Sequence, residues 1–265
     1  MKFLLTEVPP LSARGAAGIT AAFGVGLLAV LTGQGLRVPR PLIGRLVLGG
    51  FTNVFAWMGF TTLSLRWLGA GQAALLVYTM PVWAMLLAWP MLGRRPTGRS
   101  IAGLLLSMSG LAVLFGGGQL EVGAALLPGA LLALAAAFLF AFGTVLPGPA
   151  ASLPPLTSLA WQLAIGCLPM LVLGLWFEDS DPRALSPLGW TLMAYMTVVP
   201  MCVCYLTWFA ALRRLPAATA SVATLLTPVI GIGAAALTLG EPFGGKEILA
   251  IVLTLGGVAL VLRRP

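Results

Sequence analysis

Histidine is absent from this 265-residue chain, and only 8% of its residues are charged. The first absence removes the commonest metal ligand and the usual proton relay at neutral pH. The second excludes a soluble domain, in which about a quarter of the residues are charged. Acidic residues are scarcest, seven against fifteen Lys and Arg, for a net charge of +8. That balance does not mark a nucleic-acid partner. Almost all the basic residues sit at the ends of apolar segments, where they anchor topology instead of forming a binding stripe. Cys167, Cys202 and Cys204 all lie within apolar segments. Two residues apart on a helix, Cys202 and Cys204 face different ways and cannot bridge. With no metal spacing and no nucleophile–base pair, neither a metal, a cofactor nor an enzyme activity is expected.

What is present is apolar sequence: 59% hydrophobic residues and a mean hydropathy of +1.02. It comes in stretches of about 20 residues, each long enough to cross a hydrocarbon core of about 30 Å. They are continuously apolar, not alternating, which excludes a transmembrane barrel and predicts an all-α polytopic membrane protein. Spans are expected at about 9–33, 42–65, 70–92, 98–117, 124–146, 157–177, 187–211, 216–239 and 245–263. Turn signals join them, such as Gly33-Gln34-Gly35-Leu36 and Gly93-Arg94-Arg95-Pro96.

The chain repeats itself. A shift of 147 positions lays 65–93 over 212–240 without a gap and continues from 98–115 into 245–262. Arg66/Arg213, Pro81/Pro228, Gly93/Gly240 and Gly110/Gly257 coincide. Upstream, "PPLS" (9–12) and "PPLT" (154–157) correspond with a shift of 145. Residues 1–117 and 118–265 are therefore expected to be two repeats of one integral membrane domain. The second repeat shows five spans and the first four. The repeat predicts a partner for 126–146 upstream of Pro9-Pro10, with residues 1–8 as its tail; nine spans is the alternative.

Positive-inside bias orients the path. Arg37, Arg40 and Arg45, then Arg94, Arg95 and Arg99, then Arg213 and Arg214, then Arg263 and Arg264 mark cytoplasmic ends. Glu121, Glu178, Asp179, Asp181 and Glu241 mark the opposite side. Equivalent loops 94–99 and 241–247 thus fall on opposite faces, and the halves read as inverted repeats, the arrangement that supplies alternating access. The expected setting is a bacterial-type inner membrane with a cytoplasmic C-terminus.

The stretch 226–262 resembles the repeat signature of the drug/metabolite transporter superfamily, EamA type. Its elements stand here as Thr227-Pro228, Leu239-Gly240-Glu241 and Gly256-Gly257. The first half repeats them as Thr79-Met80-Pro81 and Leu92-Gly93, with Arg94 in place of the acidic residue. "PPLSARGAAG" (9–18) is similar to the opening of that family's second helix, Arg14 matching its arginine. The resemblance implies a 5+5 inverted-repeat transporter fold, both termini cytoplasmic, and transport of small metabolites. The aromatic complement and lack of buried charge suggest export of aromatic and other neutral amino acids. Export of another small solute or drug, or a channel or sensor on the same fold, is the alternative.

Helical spacing nominates a cavity lining. Asn53, Trp57 and Thr61 fall at i, i+4 and i+8 on one face. Gln72, Thr79 and Trp83 share another face with Tyr78 adjacent, and Ala217, Ser221, Thr224 and Pro228 form a small, weakly polar stripe. Trp161 and Gln162 sit one turn into their span, and Tyr195 and Tyr205 flank Pro200. Pro81, Pro228 and Pro200 are expected as conformational hinges, since interrupted helices at equivalent places in two repeats point to a mid-membrane substrate site. Asn53 and Gln72 should face protein or water, because an unsatisfied amide in hydrocarbon costs several kcal/mol. Bland readings stand beside these: a bond between neighbouring helices for Asn53, an interface belt for Trp161, close packing for Ser221 and Thr224. Gly103 with Ser107, and Gly256-Gly257, read as packing positions, within the chain or at a dimer contact. Arg14, about five residues into its span, reads as a snorkelling side chain in preference to an anchor for a substrate carboxylate. All seven acidic residues fall in loops or at span ends, so no proton-relay carboxylate is evident. The expected partners are a small-molecule substrate and the lipid bilayer, with the protein a monomer or homodimer.

Overall fold

A computed structural model describes residues 9–115, 124–146, 153–178, 185–231 and 244–262. Its long elements are α1 (Pro10–Leu31), α2 (Arg40–Ser64), α3 (Ala70–Leu92), α4 (Gly98–Phe115), α5 (Leu127–Val145), α6 (Pro155–Phe177), α7 (Pro187–Arg214), α8 (Ala217–Gly231) and α9 (Gly245–Leu262). Among the described residues six of these, α1, α2, α3, α5, α6 and α7, are long and apolar enough to cross a membrane. The protein is an all-α polytopic membrane protein. The acidic loop markers Glu121, Asp179, Asp181 and Glu241 lie outside the described residues.

Proline sets the starts of α1, α2, α6 and α7. Each has proline in its first turn, where the absent N–H would have no partner in any case. The burial pattern inverts that of a soluble protein. Small side chains such as Ala17, Ala29, Ala133 and Ala137 are sealed inside, while Phe23, Trp176 and Phe177 are about three-quarters exposed. Helices in lipid gain nothing by hiding large apolar groups from one another, so small residues take the contacts and large ones face the bilayer.

The helices form two compact units, and each draws on both halves of the sequence. The first holds α1, most of α2, α6 and α7; the second holds α3, α4, α5, α8 and α9.

In the first unit α1 lies against α6, its equivalent in the repeat. Gly15 faces the Leu171 backbone, Gly18 faces Cys167, and Gly174 faces Ser12, each so close that a Cβ would stand under 3 Å from its neighbour. As the number rises on one helix it falls on the other, so the pair is antiparallel. The ends cap each other. The Leu11 and Ser12 amides and the Ser12 hydroxyl donate to the Glu178 carboxylate at 3.2, 2.8 and 2.9 Å. At the other end the Leu156 amide donates to Gln34 Oε1 at 3.2 Å, and the Thr157 hydroxyl to the Gly35 carbonyl at 2.7 Å. Leu11 and Ser12 correspond to Leu156 and Thr157 under the 145-residue shift. The N-terminus of each helix is thus satisfied by the residues that follow its partner's last turn. Gly33 and Gly35, at φ +74° and +67°, let the chain after α1 curl back to do this.

In the second unit α4 lies against α9, again a pair of equivalents. Ser107 donates its hydroxyl to the carbonyl of Thr254, its own counterpart 147 residues on, at 3.3 Å. Gly110 faces Thr254 and Ala250, and Gly257 faces Ser107 and Gly103. Gly103, Ser107 and Gly257 therefore pack against one another within the chain. This pair is antiparallel too. Equivalent helices that run oppositely are what an inverted repeat produces.

Candidate functional site

The nominated residues fall into two groups, one in each unit. In the second unit α3 is interrupted. Its helix stops at Val77 and resumes at Met80, leaving Tyr78 and Thr79 outside regular helical geometry. The interruption lies just before Pro81, which has no N–H for the Val77 carbonyl. Thr79 donates its hydroxyl to the Leu76 carbonyl at 2.6 Å and accepts the Trp83 indole N–H at 3.2 Å. Trp83 meets Phe138 of α5 edge to face at 5.5 Å. The same break recurs in α8 at Thr224 and Leu225, just before Pro228. There the Thr224 hydroxyl donates to the Ser221 carbonyl at 2.7 Å, and the Thr224 carbonyl accepts the Thr227 amide at 3.0 Å. Tyr78 and Val82 pack on a cluster that includes Val222 and Leu225. Ser221 is fully buried, with no bond to its hydroxyl. Two broken helices and an unpartnered hydroxyl lie in this unit.

Gln72 sits elsewhere. Its side-chain oxygen accepts the Gly69 amide at 3.2 Å, closing the first turn of α3. The spacing that aligned it with Thr79 and Trp83 assumed one continuous helix, and the break at Tyr78–Thr79 ends that register.

In the first unit Asn53 and Trp57 lie on a stretch that is not α-helical. Phe51–Phe60 of α2 forms a π-helix, and so does Thr197–Cys204 of α7, at the equivalent place in the second repeat. Pro200 lies inside the latter, while Phe51–Phe60 forms its π-helix without a proline. Such turns, with i→i+5 bonds, are rare and concentrate at functional sites. Asn53 is 4% exposed, its Oδ1 accepts no bond, and its backbone carbonyl accepts the Tyr205 hydroxyl at 2.9 Å. Gln162 is buried beside it. Its amide nitrogen donates to Ser158 Oγ at 3.0 Å, while its Oε1 is unpartnered.

Trp161 faces the other way. It borders an outward groove of about 480 Å³ with Ile19, Phe23, Leu27, Leu36 and Leu168. Its indole N–H donates to the Leu36 carbonyl at 3.1 Å. That surface suits hydrocarbon, and Trp161 does not join Asn53.

Two members of the polar group had been read differently or left out. Arg14 is half-buried: its Nε is sealed from solvent without a hydrogen bond, within electrostatic reach of Tyr205 and Cys167. Gln162, noted only beside Trp161, is the residue that meets Asn53. Neighbours on a helix diverge by about 100°, so one faces the groove and the other the interior.

These interrupted, internally duplicated helices can be set beside known proteins. The model of the EamA-like transporter family matches residues 1–116 and 127–263. The chain belongs to the EamA-like transporter family. An uncharacterized transporter, YvbV, of Bacillus subtilis is 28% identical over 98% of this chain and 85% of its own length. A "Probable amino-acid metabolite efflux pump" of Escherichia coli is 30% identical, over 83% of this chain and 78% of its own. A "Probable terminal-alkyne amino-acid exporter" of Streptantibioticus cattleyicolor is 28% identical over 89% and 80%. A solved crystal structure aligns with a TM-score of 0.84 at 19% identity, covering 98% of this chain and 90% of that one. That last likeness is one of fold. This EamA-family chain is a multi-pass membrane transporter.

Proposed function

We propose that this transporter exports neutral and aromatic amino acids by alternating access of its two inverted repeats, without a proton-relay carboxylate. The observation that carries the reading is the paired interruption of α3 and α8 before Pro81 and Pro228, with Tyr78, Thr79, Trp83, Ser221 and Thr224 gathered around it. Proline leaves backbone groups free at membrane depth, and freed carbonyls and half-helix termini suit the two ends of a zwitterion. Antiparallel packing of equivalent helices supports two states of similar energy, which alternating access requires. Relatives named as amino-acid efflux pumps and exporters support the substrate class. Among the described residues the carboxylates are Glu178 and Glu247, each at a helix terminus and each bonded to backbone amides. Neither stands inside a span, as a relay would. The same reading places the protein in a bacterial-type inner membrane with the C-terminus in the cytoplasm.

The test is uptake of a radiolabelled amino-acid panel into proteoliposomes, with and without a pH gradient. Saturable uptake of neutral or aromatic amino acids, indifferent to the gradient, is expected. Dependence on the gradient would remove the uncoupled mechanism; no flux from folded protein would remove the substrate.

A further inference from the structure

Arg14 carries a charge that no described carboxylate meets. It lies in the second turn of α1 with its Nε sealed from solvent and without an acceptor. The ionisable groups that act on its charge are the Tyr205 phenol and the Cys167 thiol, both neutral in ordinary conditions. Glu178 does not serve it. That carboxylate is taken up by Leu11 and Ser12, and Ser12, two residues before Arg14, points away from it around the helix. A half-buried cation with no carboxylate in reach among the described residues costs stability, and a membrane protein that keeps one has a use for it. The surroundings are equally unfinished. The Tyr205 hydroxyl is held by the Asn53 carbonyl at 2.9 Å, which keeps the ring beside Arg14. Asn53 Oδ1 and Gln162 Oε1 are buried acceptors without donors. One unpaired cationic donor and two unpaired acceptors thus occupy the same unit, and its equivalent π-helical stretches carry Asn53 and end at Tyr205.

We propose that Arg14 anchors the carboxylate of the transported solute in the first unit, with Tyr205 positioning the guanidinium and the Asn53 amide oxygen facing the solute's ammonium. Arginine suits this role because its fork binds carboxylate through two parallel bonds and stays charged at every physiological pH. The chemical class follows: a solute with a free carboxylate is taken, and its amide is refused. This rests on the amino-acid reading above for its substrate, and on Arg14 alone for its selectivity.

The experiment uses the full chain in proteoliposomes. Uptake of radiolabelled phenylalanine is competed with unlabelled phenylalanine or with phenylalaninamide. In the native protein the acid should compete about tenfold or more better than the amide, as loss of a charge-assisted bond implies. Arg14→Gln should abolish that preference, and Arg14→Lys should keep part of it, since the charge survives and the fork does not. Tyr205→Phe should weaken the preference without abolishing it. Unchanged acid-over-amide preference in Arg14→Gln overturns the proposal. Should that variant not fold, a native-like preference in Arg14→Lys together with Tyr205→Phe does so.

A second readout is independent of transport: thermal stabilisation of the purified protein by 3-phenylpropionate and by its amide. Stabilisation by the carboxylate alone, lost in Arg14→Gln, supports the site even if no amino acid is carried, in which case the transport reading falls by itself. Equal effects of acid and amide on the native protein overturn the site. The empty Arg14→Gln protein should be as stable as the native one or more so. A structural arginine would give the reverse.

Discussion

Two seams in this molecule solve one problem by different means. Both pair a helix with its own repeat equivalent, antiparallel. The α4–α9 seam works through closeness, with Gly103, Ser107, Gly110, Ala250, Thr254 and Gly257 interlocked along its length. The α1–α6 seam adds polar closure at both ends, a carboxylate at one and an amide with a backbone carbonyl at the other. Among the described residues, one repeat-related contact thus depends on size and the other also on charge.

The comparison can be broken most severely at its tightest point. A Cβ on Gly257 would stand 2.2 Å from Ser107 Oγ and 2.4 Å from the Gly103 carbonyl. Gly257→Leu should cost about 3 kcal/mol or more by overpacking, read as a lowered melting temperature in detergent. Gly256→Leu, which meets only Leu106 at 3.6 Å, should melt close to the native protein and serves as the control. Next comes the break in α3. Pro81→Ala returns an N–H to the Val77 carbonyl, and transport should slow by about tenfold, if opening at this point limits turnover, while stability holds or rises. Equal transport rates would make the proline a packing feature only.

The end caps should matter less. Glu178→Ala removes three bonds and a favourable charge from the start of α1, at about 1–2 kcal/mol. The loss should shrink in high salt, where the charge term is screened. Gln34→Ala removes one neutral bond from the start of α6, at about 0.5–1 kcal/mol, and should respond little to salt. Chemical denaturation of the two variants at low and high salt distinguishes a charge-dependent end from a neutral one; identical salt responses would erase the distinction.

Much of this was legible in the chain before any fold was seen. Apolar runs of membrane-crossing length marked the spans, and the shifts of 145 and 147 residues identified the helices that turn out to lie against each other. The paired prolines located both interruptions to within two or three residues, because a missing N–H acts locally whatever surrounds it. The π-helical stretches carried no paired mark: Pro200 lies in one, and Phe51–Phe60 has no proline. They differ from an α-helix in closing each hydrogen bond over one more residue, and an apolar run without a strong polar stripe does not record the change of period. Gln72 misled for a related reason: its spacing assumed a helix continuous across Tyr78 and Thr79.

Span length and repetition were thus determined by the sequence itself, since each follows from local composition and internal likeness. Which side chains complete one another was decided only by the tertiary structure. Arg14 had no visible partner until α6 and α7 brought Cys167 and Tyr205 near it, and Glu178 was an ordinary loop acid until it met the start of α1. Solvent access and the presence of a partner are properties of packing. They depend on residues more than a hundred positions away, and no spacing within one helix encodes them.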